Sequence, residues 1–488
     1  MHGGTGKRLA WTLAIVAAWG ANSAARAQEP STPPLNNGPE YYAAAQDAAV
    51  APPVQGQFVS EYAPQPGADL AKRVTELEAA LKKMDDKAKA DKEKAASKPS
   101  VTVFGRLYVD TVAFGQNAQS RAVYGDAKNS TYFRSARIGA QGDMFEVMSY
   151  KWEMDFASRD PQDLSLIAFR DVYIQANDLP LLGHARVGHF KEPLSLEELT
   201  SSRFTTFMER SLSNTFIPAF DTGVMAFDYS ENERVTWQIG AFAAGQDTPP
   251  YVTEDSTLSG DGTAGCVRTT WTPWYDEASA GRGLLHLGLG YRYNDLYSTT
   301  QRVRARPEVA VGPYVVDTRI GGVDTLTGVE SVQNVVPEIA FLYGPFSVQA
   351  EYMAAQYTRT AGLTNPMFRG GYVFASYFLT GENRGYDRKM GRFDRVKPFT
   401  NFFRVRTTDG CVETGRGAWE VAYRYSWIDL DEGGILGGIA ADHTVGLNWY
   451  LNPYTRMMLN YVHSDDSPQN NGPNTYIDAI MMRAQVDF

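Results

Sequence analysis

The sequence predicts an all-β fold: a transmembrane antiparallel β-barrel of about sixteen strands, preceded by a short periplasmic coiled-coil helix. The first observation is the end of the chain, where apolar and polar residues alternate. One face carries Ile480, Met482, Ala484, Val486 and Phe488, and the other carries Arg483, Gln485 and Asp487. Side chains on a strand point alternately to opposite faces, so this segment predicts a strand with one apolar and one polar face.

The second and third observations concern the whole chain. The alternation with a period of two continues from Val101 onward, while no stretch of eighteen or more apolar residues offers a spanning helix. The chain also contains 44 Gly, 27 Tyr and 24 Phe at a charged fraction of only 21%. This composition is typical of membrane barrels, because their strands show only every second residue to lipid.

Residues 1–27 have the pattern of a signal peptide. Lys7 and Arg8 precede an apolar core over residues 9–19, and residues 25–27, Ala-Arg-Ala, offer a cleavage site between small residues. Removing this segment makes the formal charge more negative than −10. We therefore expect an exported, acidic protein of the bacterial outer membrane, which argues against nucleic acid as a partner.

Two further segments precede the barrel. Residues 28–68 contain eight prolines among Ala, Gln and Gly, which predicts a flexible linker because such a composition cannot build a core. Residues 69–97 predict a coiled-coil helix of about three heptads in the periplasm, since apolar residues recur at spacings of four and three. These residues are Leu70, Val74, Leu77, Leu81, Met84 and Ala88. A lone amphipathic helix is the alternative, but nothing nearby offers it a core.

Residues 101–488 predict the barrel itself. The sixteen candidate strands centre near residues 107, 137, 152, 170, 188, 226, 240, 288, 305, 340, 352, 374, 422, 446, 459 and 482. Short turns near residues 143–146, 230–234, 343–346 and 451–455 are expected in the periplasm, and long loops near residues 115–129, 193–221, 245–282, 310–334 and 428–440 outside. The long connection over residues 380–417 falls on the periplasmic side. Either it folds into the lumen or the strand count is wrong by two.

The only two cysteines, Cys266 and Cys411, do not make a disulfide framework. Both fall in predicted loops, which start from opposite sides of the membrane. The sequence therefore leaves open whether they pair, and it favours two separate thiols.

A closed barrel of sixteen strands is wide enough to leave an aqueous channel. On the predicted ninth strand, Arg302, Arg304 and Arg306 share one face at about 6–7 Å between neighbours. Three guanidinium groups in such a row form a ladder along which an anion can move. The alternative is a solvated polar face without selectivity.

The other predicted lumen charges are nearly balanced. The basic candidates, ladder included, are Arg106, Arg137, Lys151, Arg292, Arg302, Arg304, Arg306, Arg424, Arg456 and Arg483, and the acidic ones are Asp110, Glu153, Asp155, Glu308, Glu338, Glu351, Glu420 and Asp487. Selectivity must then come from a constriction. The loop over residues 193–221, with Arg203 and Arg210 near Phe204, is one candidate, and the basic segment over residues 380–417 is another.

Seven segments of the chain resemble the phosphate-selective porin O and P family. They are HFKEP (189–193), LTSSR (199–203), FMER (207–210), RARPE (304–308), SYFLTGENR (376–384), GAWEVAYRY (417–425) and GLNWYLNPYTRMMLNY (446–461). The resemblance covers residues 101–488. It implies a trimer of sixteen-stranded barrels with inward-folded loops, one of them from the periplasmic side. It also implies arginine ladders that lead anions to a lysine-lined constriction.

The predicted anion-binding set combines the ladder with five other lumen cations: Arg302, Arg304, Arg306, Arg292, Arg137, Lys191, Arg203 and Arg424. The chain departs from the family pattern at two positions. Ser135 stands where an arginine commonly pairs with the one at Arg137, and Phe374 stands where a polar residue is usual. Lysines are also sparse in the candidate loops.

The expected function is an outer-membrane channel for passive diffusion of small anions such as phosphate or polyphosphate. Two alternatives remain: an envelope tether whose barrel is mainly an anchor, and a general non-selective porin. An enzyme is not expected, because the sequence has no nucleophile elbow, metal-ligand cluster or phosphate-cradling glycine loop, and no cofactor is predicted. The expected partners are inorganic anions, outer-membrane lipid and two further copies in a homotrimer.

Overall fold

The computed structural model describes residues 68–96, 98–145, 147–157, 167–244, 262–297, 299–406, 410–470 and 472–488. The predicted signal peptide and linker lie outside these residues, apart from Ala68. The chain divides into two units, residues 1–76 and 77–488. Of the first unit, only residues 68–76 belong to the described part.

The sheet and its helices follow the chain in a simple order. The elements are α1 (Ala68–Ala96), β1 (Thr102–Gln116), α2 (Ala118–Tyr124), β2 (Ser130–Met144), β3 (Met148–Asp155), β4 (Ala168–Leu179), β5 (Gly183–Lys191), α3 (Leu196–Leu199), a 3₁₀ helix (Leu212–Phe216), β6 (Phe220–Tyr229), β7 (Val235–Ala244), β8 (Gly262–Tyr275), β9 (Gly283–Leu296), β10 (Arg304–Ala305), β11 (Val316–Asp317), β12 (Arg319–Ile320), β13 (Val323–Asp324), β14 (Val329–Tyr343), β15 (Phe346–Arg359), β16 (Met367–Phe378), β17 (Gly385–Asp387), β18 (Arg392–Asp394), β19 (Phe403–Arg406), β20 (Val412–Gly415), β21 (Ala418–Glu432), β22 (Ile435–Asn452), β23 (Thr455–Ser467) and β24 (Thr475–Asp487).

Sixteen of these strands form one closed antiparallel barrel, in the order β1–β9, β14–β16 and β21–β24. The barrel closes where β24 pairs with β1, from Arg106 opposite Asp487 to Gln116 opposite Ile477. The predicted sixteen-stranded barrel is therefore confirmed. The eight remaining strands form four two-stranded ribbons, β10–β11, β12–β13, β17–β18 and β19–β20.

The predicted helix before the barrel is present as α1, whereas its pairing into a coiled coil stays a prediction. The seam residues Leu77 and Leu81 are 67% and 65% exposed in the single chain. In the described part of the chain, none of the helices has the length and apolar character that crossing a membrane requires.

The prediction of one strand was wrong and another strand was missed, so that the two errors cancelled in the count. Residues near 305 form only the short ribbon strand β10, inside a long connection. The missing barrel strand is β8, which lies within the predicted external loop over residues 245–282. Its outward face alternates weakly, because Gly265 and Thr269 stand among the apolar residues. Cys266 accordingly lies buried in a strand, not in a loop.

A second predicted loop, over residues 428–440, is also wrong. Strands β21 and β22 continue through it and are joined only by residues 433–434. Their pairing shifts register between Asp429 and Asp431, so that the alternation breaks there. This break made a continuous hairpin resemble a loop.

The two ends of the barrel differ in their connections. At the end where β1 begins and β24 finishes, most connections are short turns, and we name it the turn end; the opposite end is the loop end. Three long connections fold wholly or partly into the barrel: loop A (residues 192–219), loop B (residues 297–328) and segment C (residues 379–417). Segment C starts from the turn end, and Arg268 on β8 donates to its Gly391 carbonyl at 2.8 Å. The first of the two sequence alternatives for this segment, an inward fold, is therefore correct.

The lumen has two unlike halves. In one of them, apolar inward residues of β14–β16, β21, β22 and β24 build a core with residues of loops A and B, such as Phe207 and Val303. The same strands also bury charged groups such as Glu338 and Arg424. Phe374 belongs to this core, since its ring meets Phe207 edge-on at 5.5 Å. This contact explains an aromatic residue at a position where a polar one was expected. The inward faces of β1–β5 instead carry charged side chains such as Arg106 and Glu153.

Candidate functional site

A cavity of about 1220 Å³ lies between the charged half of the barrel wall and the inward-folded connections. Its wall residues come from β1–β7 and β24, and the opposite side comes from loops A and B and segment C. Its cations are Arg106, Arg134, Arg137, Lys151, Arg170, Arg186, Lys191, Arg203, Arg210, Arg304, Arg306, Arg392, Arg395 and Arg483, and its acids are Glu153, Asp171, Glu198, Glu209, Glu308, Asp387 and Asp394. Fourteen cations thus face seven acids, which gives the lining a clear positive excess.

The wall arginines are held in place by carboxylates. Arg106 Nη2 lies 2.5 Å from Glu153 Oε1, and Arg137 Nε lies 2.8 Å from Asp155 Oδ2. A guanidinium group has five N–H donors, and such a pair occupies only some of them. Arg106 Nη1 also donates to Ser202 Oγ at 3.0 Å. Both side chains line the cavity, so the donors that stay unused can contact a passing anion.

Two arginines of the wall reach the lumen through β-bulges. Tyr108 pairs with Ser135 and Val109 pairs with Phe133, so Arg134 is the extra residue on β2. A bulge puts consecutive side chains on the same face, and both Arg134 and Ser135 line the cavity. Arg134 therefore supplies a lumen cation directly beside the position where the family pattern led us to expect one.

The second bulge lies on β4. The pairs Trp152–Val172 and Met154–Phe169 leave Glu153 opposite both Arg170 and Asp171, and both of these residues line the cavity. In a regular strand, one of two neighbouring residues faces the lipid and the other faces the lumen. A prediction from this alternation therefore could not place both residues of each bulge in the lumen, and it missed Arg134 and Arg170.

Loop A brings a charged cluster into the lumen. Ser195 caps helix α3, because its hydroxyl accepts from the Glu198 backbone N–H at 3.2 Å. Glu198 then lies between two cations, with Lys191 Nζ at 2.8 Å and Arg210 Nε at 2.9 Å. Burial acts to raise the pKa of Glu198, but Arg210 and Lys191 hold that pKa below its ordinary value. The ionised carboxylate in turn positions both cations in the lining.

Loop B carries the predicted arginine ladder, but on an inward-folded loop and not on a wall strand. Arg304 and Arg306 line the cavity, and their guanidinium carbons lie 4.0 and 4.3 Å from the ring centre of Tyr314. Neither arginine forms an ion pair with a described residue. Arg302 lies outside the lining and pairs with Asp317, with Nε 2.9 Å from Oδ1.

Arg186 on β5 is a further lining residue that the sequence analysis missed. Its guanidinium stacks on Tyr173 at 4.1 Å, and Gln175 accepts its Nη2 hydrogen bond at 2.7 Å. Among the described residues no carboxylate lies within ion-pair distance of it, although the charge of Asp171 acts on it. Arg186, Gly188 and the buried Phe190 share one face of β5. This shared face was the signal that could have identified Arg186 as a lumen residue.

Two of the eight predicted site residues serve the architecture instead of the lining. Arg292 is buried and paired with Glu192, with Nε 2.6 Å from Oε2. Arg424 is buried and bonded to Glu308 of loop B and Glu197 of loop A. Together with Arg302, three of the predicted residues therefore do not line the cavity. The five others, Arg137, Lys191, Arg203, Arg304 and Arg306, do.

Segment C adds no net charge to the cavity, although its sequence is basic. It contributes Arg392 and Arg395, but also Asp387 and Asp394. Arg395 pairs with Asp487 near the end of β24. The positive excess of the lining therefore comes from the wall and from loops A and B.

Comparisons with known proteins agree with this architecture. The family model for phosphate-selective porin O and P matches residues 112–488. Porin O of Pseudomonas aeruginosa is 24% identical over 406 residues, which covers 75% of this chain and 83% of that protein. An uncharacterized protein of Caulobacter vibrioides is 28% identical over 371 residues, covering 73% of this chain and 68% of its own.

Solved structures share the barrel fold. The anion-selective porin from Comamonas acidovorans aligns with a TM-score of 0.50 at 12% identity, over 80% of this chain and all of that one (100%). The high-pH structure of OprB from Pseudomonas putida aligns with a TM-score of 0.50 at 11% identity, over 83% of this chain and 97% of that one. These likenesses concern the fold alone.

Proposed function

Because the chain belongs to the phosphate-selective porin O and P family, we propose that it forms an outer-membrane channel through which small anions diffuse passively. The observation that carries the proposal is the charge of the cavity, where fourteen cations face seven acids. A narrow, water-filled passage with low-dielectric walls concentrates ions of the opposite sign. Anions are therefore favoured throughout the cavity.

Three guanidinium groups are the best candidates for direct anion contact. Arg186, Arg304 and Arg306 line the cavity without an ion pair to any described residue. Arg304 and Arg306 stack on the ring of Tyr314, at 4.0 and 4.3 Å, and both line the cavity, so each can contact an anion that passes through it. Guanidinium groups bind phosphate oxygens in a two-point geometry, which favours a phosphate-type oxyanion over a halide.

A general non-selective porin is the second candidate. It is favoured by the ion pairs, because the other eleven cations of the lining each lie within 4.0 Å of a carboxylate. Such pairs present little net charge to the passage. The two candidates differ in the sign and size of the zero-current potential under a salt gradient.

The purified protein in a planar lipid bilayer is expected to prefer anions over cations. Under a potassium chloride gradient, the zero-current potential should have the sign of a chloride-permeable channel, and added phosphate should reduce the chloride current because it occupies the arginine site. A potential of the opposite sign would rule out an anion channel. A potential near zero would support the non-selective porin, and an anion preference without any effect of phosphate would remove only the proposed specificity.

We further propose that the chain assembles as a homotrimer in which three α1 helices form a coiled coil. The exposed seam that includes Leu77 and Leu81 supports this, since heptad seams are covered by other helices of the same kind. Three heptads are marginal alone, so the barrels would hold the helices together. A tether function for the arm does not need a conducting barrel.

The substitution Leu81→Asp is expected to separate the helices, because it puts three charges into the centre of the seam. The measurement is amine-specific cross-linking through the nearby Lys82 and Lys83 of the full-length protein in detergent, together with its mass by light scattering. Ala79→Asp adds the same charge on the opposite side of the helix and should leave the cross-links unchanged. A monomeric mass for the parent protein, or equal cross-linking in both variants, would contradict the coiled coil.

A further inference from the structure

The rim hairpin, which we define as residues 397–406 and 410–416, is the part of segment C that does not enter the lumen. It contains the ribbon β19–β20 and lies at the turn end. Its attachment point is on the outside of the barrel. Phe402 meets the outward-facing ring of Trp449 edge-on at 4.6 Å, and the Trp449 indole N–H donates to the Arg416 carbonyl at 2.9 Å.

Trp449 belongs to a row of aromatic residues around the outside of the turn end. Its ring stacks on Trp419 at 4.9 Å, and outward aromatics continue on neighbouring strands at Tyr377 and Tyr343. Such girdles lie at the level of the lipid headgroups in membrane barrels. The contact with Trp449 therefore fixes the rim hairpin at the surface of the bilayer.

The exposed side chains of the rim hairpin are basic and apolar. Phe399, Phe403 and Val412 are 64%, 57% and 57% exposed. The cations Lys397, Arg404, Arg406 and Arg416 are also exposed, and none of them forms an ion pair with a residue that the structure describes. Between positions 397 and 416 the sequence has only two acids, Asp409 and Glu413, in a chain whose formal charge is −10.

The ribbon arranges three of these groups on one face. Arg404 and Arg406 are two residues apart on β19 and so share a face, and Val412 lies opposite Arg406. An apolar side chain beside two guanidinium groups suits the boundary between acyl chains and phosphates. This combination is typical of segments that rest on anionic membrane surfaces.

The backbone of Phe403 adds an independent observation. Its φ is +70°, a left-handed conformation that is strained for a bulky side chain. Glycine adopts this conformation without strain, yet the position holds an exposed phenylalanine. Its ring meets the Phe402 ring at 6.0 Å and the Arg404 guanidinium at 5.5 Å. Strained positions of this kind cluster at binding sites, which supports a binding role for this side chain.

We propose that the rim hairpin binds an anionic phospholipid of the leaflet at the turn end, with Phe403 and Val412 among the acyl chains and Arg404 and Arg406 at the headgroup phosphate. The site lies outside the lumen and takes no part in conduction. It would anchor segment C, whose other part enters the barrel, to the surrounding membrane. A protein partner at the same surface is the competing occupant.

The position of Cys411 permits a direct test in the full-length protein. Cys411 is exposed on the rim hairpin, whereas Cys266 is buried, so a polarity-sensitive fluorophore can be attached at Cys411. In phosphatidylcholine vesicles that contain phosphatidylglycerol, emission is expected to shift to the blue relative to phosphatidylcholine alone, and salt should reverse the shift. The Cys411→Ser variant measures the background from Cys266.

Variants of the parent protein, titrated with phosphatidylglycerol and followed by native mass spectrometry, test the residues. Arg404→Gln and Arg406→Gln are each expected to weaken lipid binding roughly fivefold, whereas Arg319→Gln on loop B should not change it. Phe403→Gly removes the strain without disturbing the fold, so a purely structural role predicts unchanged lipid binding and our proposal predicts weaker binding. Heat-dependent electrophoretic mobility confirms that each barrel is folded.

Two results would overturn the proposal. One is emission and lipid binding that do not depend on phosphatidylglycerol, which would leave the surface to a protein partner. The other is equal lipid binding by the Arg404→Gln and Arg319→Gln variants, because the lipid would then respond only to total charge. Neither result affects the channel function, since the site lies outside the cavity.

Discussion

Replacing Arg424 with alanine is expected to raise the single-channel conductance and to make it fluctuate. One guanidinium group holds both inward-folded loops against the barrel wall. Its Nε donates to Glu308 Oε2 of loop B at 3.0 Å, and its Nη1 donates to Glu197 Oε1 of loop A at 3.0 Å. Its Nη2 also donates to the Glu209 carbonyl at 2.9 Å, and the group covers the ring of Phe207 at 4.4 Å.

The size of the expected effect follows from the burial of Arg424 and its partners. Arg424 is 1% exposed, and the alanine variant leaves the carboxylates of Glu308 and Glu197 buried without their main counter-charge. Removing one partner of a buried ion pair costs about 3–5 kcal/mol. The loops avoid this cost if they leave the wall, because their carboxylates then become hydrated. The passage becomes wider as a result. The barrel should persist, because its strands pair around the full circle.

Single-channel recording in planar bilayers measures the effect. Arg456→Ala is a matched control, because Arg456 is also buried and inward and donates to the Thr205 carbonyl of loop A at 2.8 Å, but has no ion pair to a described carboxylate. It should change the conductance much less. In the Glu308→Gln background, Arg424→Ala should change the conductance less, because it then leaves only the Glu197 carboxylate without its counter-charge. An unchanged conductance in Arg424→Ala would mean that the apolar core alone holds the loops.

The barrel was predictable because the membrane imposes a simple rule on most strands. Lipid on one side and water on the other give a period of two, as on β3, where Trp152 is exposed and Glu153 is buried. The rule failed where the two faces of a segment differ little in polarity or where a loop segment also has one buried face. Strand β8 escaped detection for this reason, and Arg304–Ala305 resembled a wall strand because Ala305 packs into the core between loop and wall.

The site was less predictable because it depends on contacts that are distant in sequence. Arg292 and Arg424 carry the right charge on the right face, but Glu192, Glu197 and Glu308 from the loops neutralise them. No local pattern reveals which carboxylate arrives from a loop. The bulges at Arg134 and Arg170 are hidden for a similar reason, since the pairing partner decides which residue is extra.

The double substitution Arg304→Gln/Arg306→Gln is expected to remove most of the phosphate block and to lower the anion preference. These two groups lie on one ring of loop B and face the cavity without a described carboxylate partner. A hydrogen bond to a charged group contributes about 1.5–3 kcal/mol. Losing one from each arginine should weaken phosphate binding on the order of a hundredfold or more. The measurement is the phosphate concentration that halves the chloride current.

The loop offers a control with the same loss of charge. Arg302 and Arg319 also belong to loop B, but both lie outside the cavity lining, paired with Asp317 and Asp324. The variant Arg302→Gln/Arg319→Gln should therefore keep nearly all of the phosphate block. If both double variants lost the phosphate block equally, the anion would be selected by long-range charge and not by direct contact near Tyr314. Because salt screens distant charges within about 10 Å at 0.1 M, repeating the comparison at higher salt separates the two causes: a contact site keeps its difference between the variants, whereas a long-range field loses it.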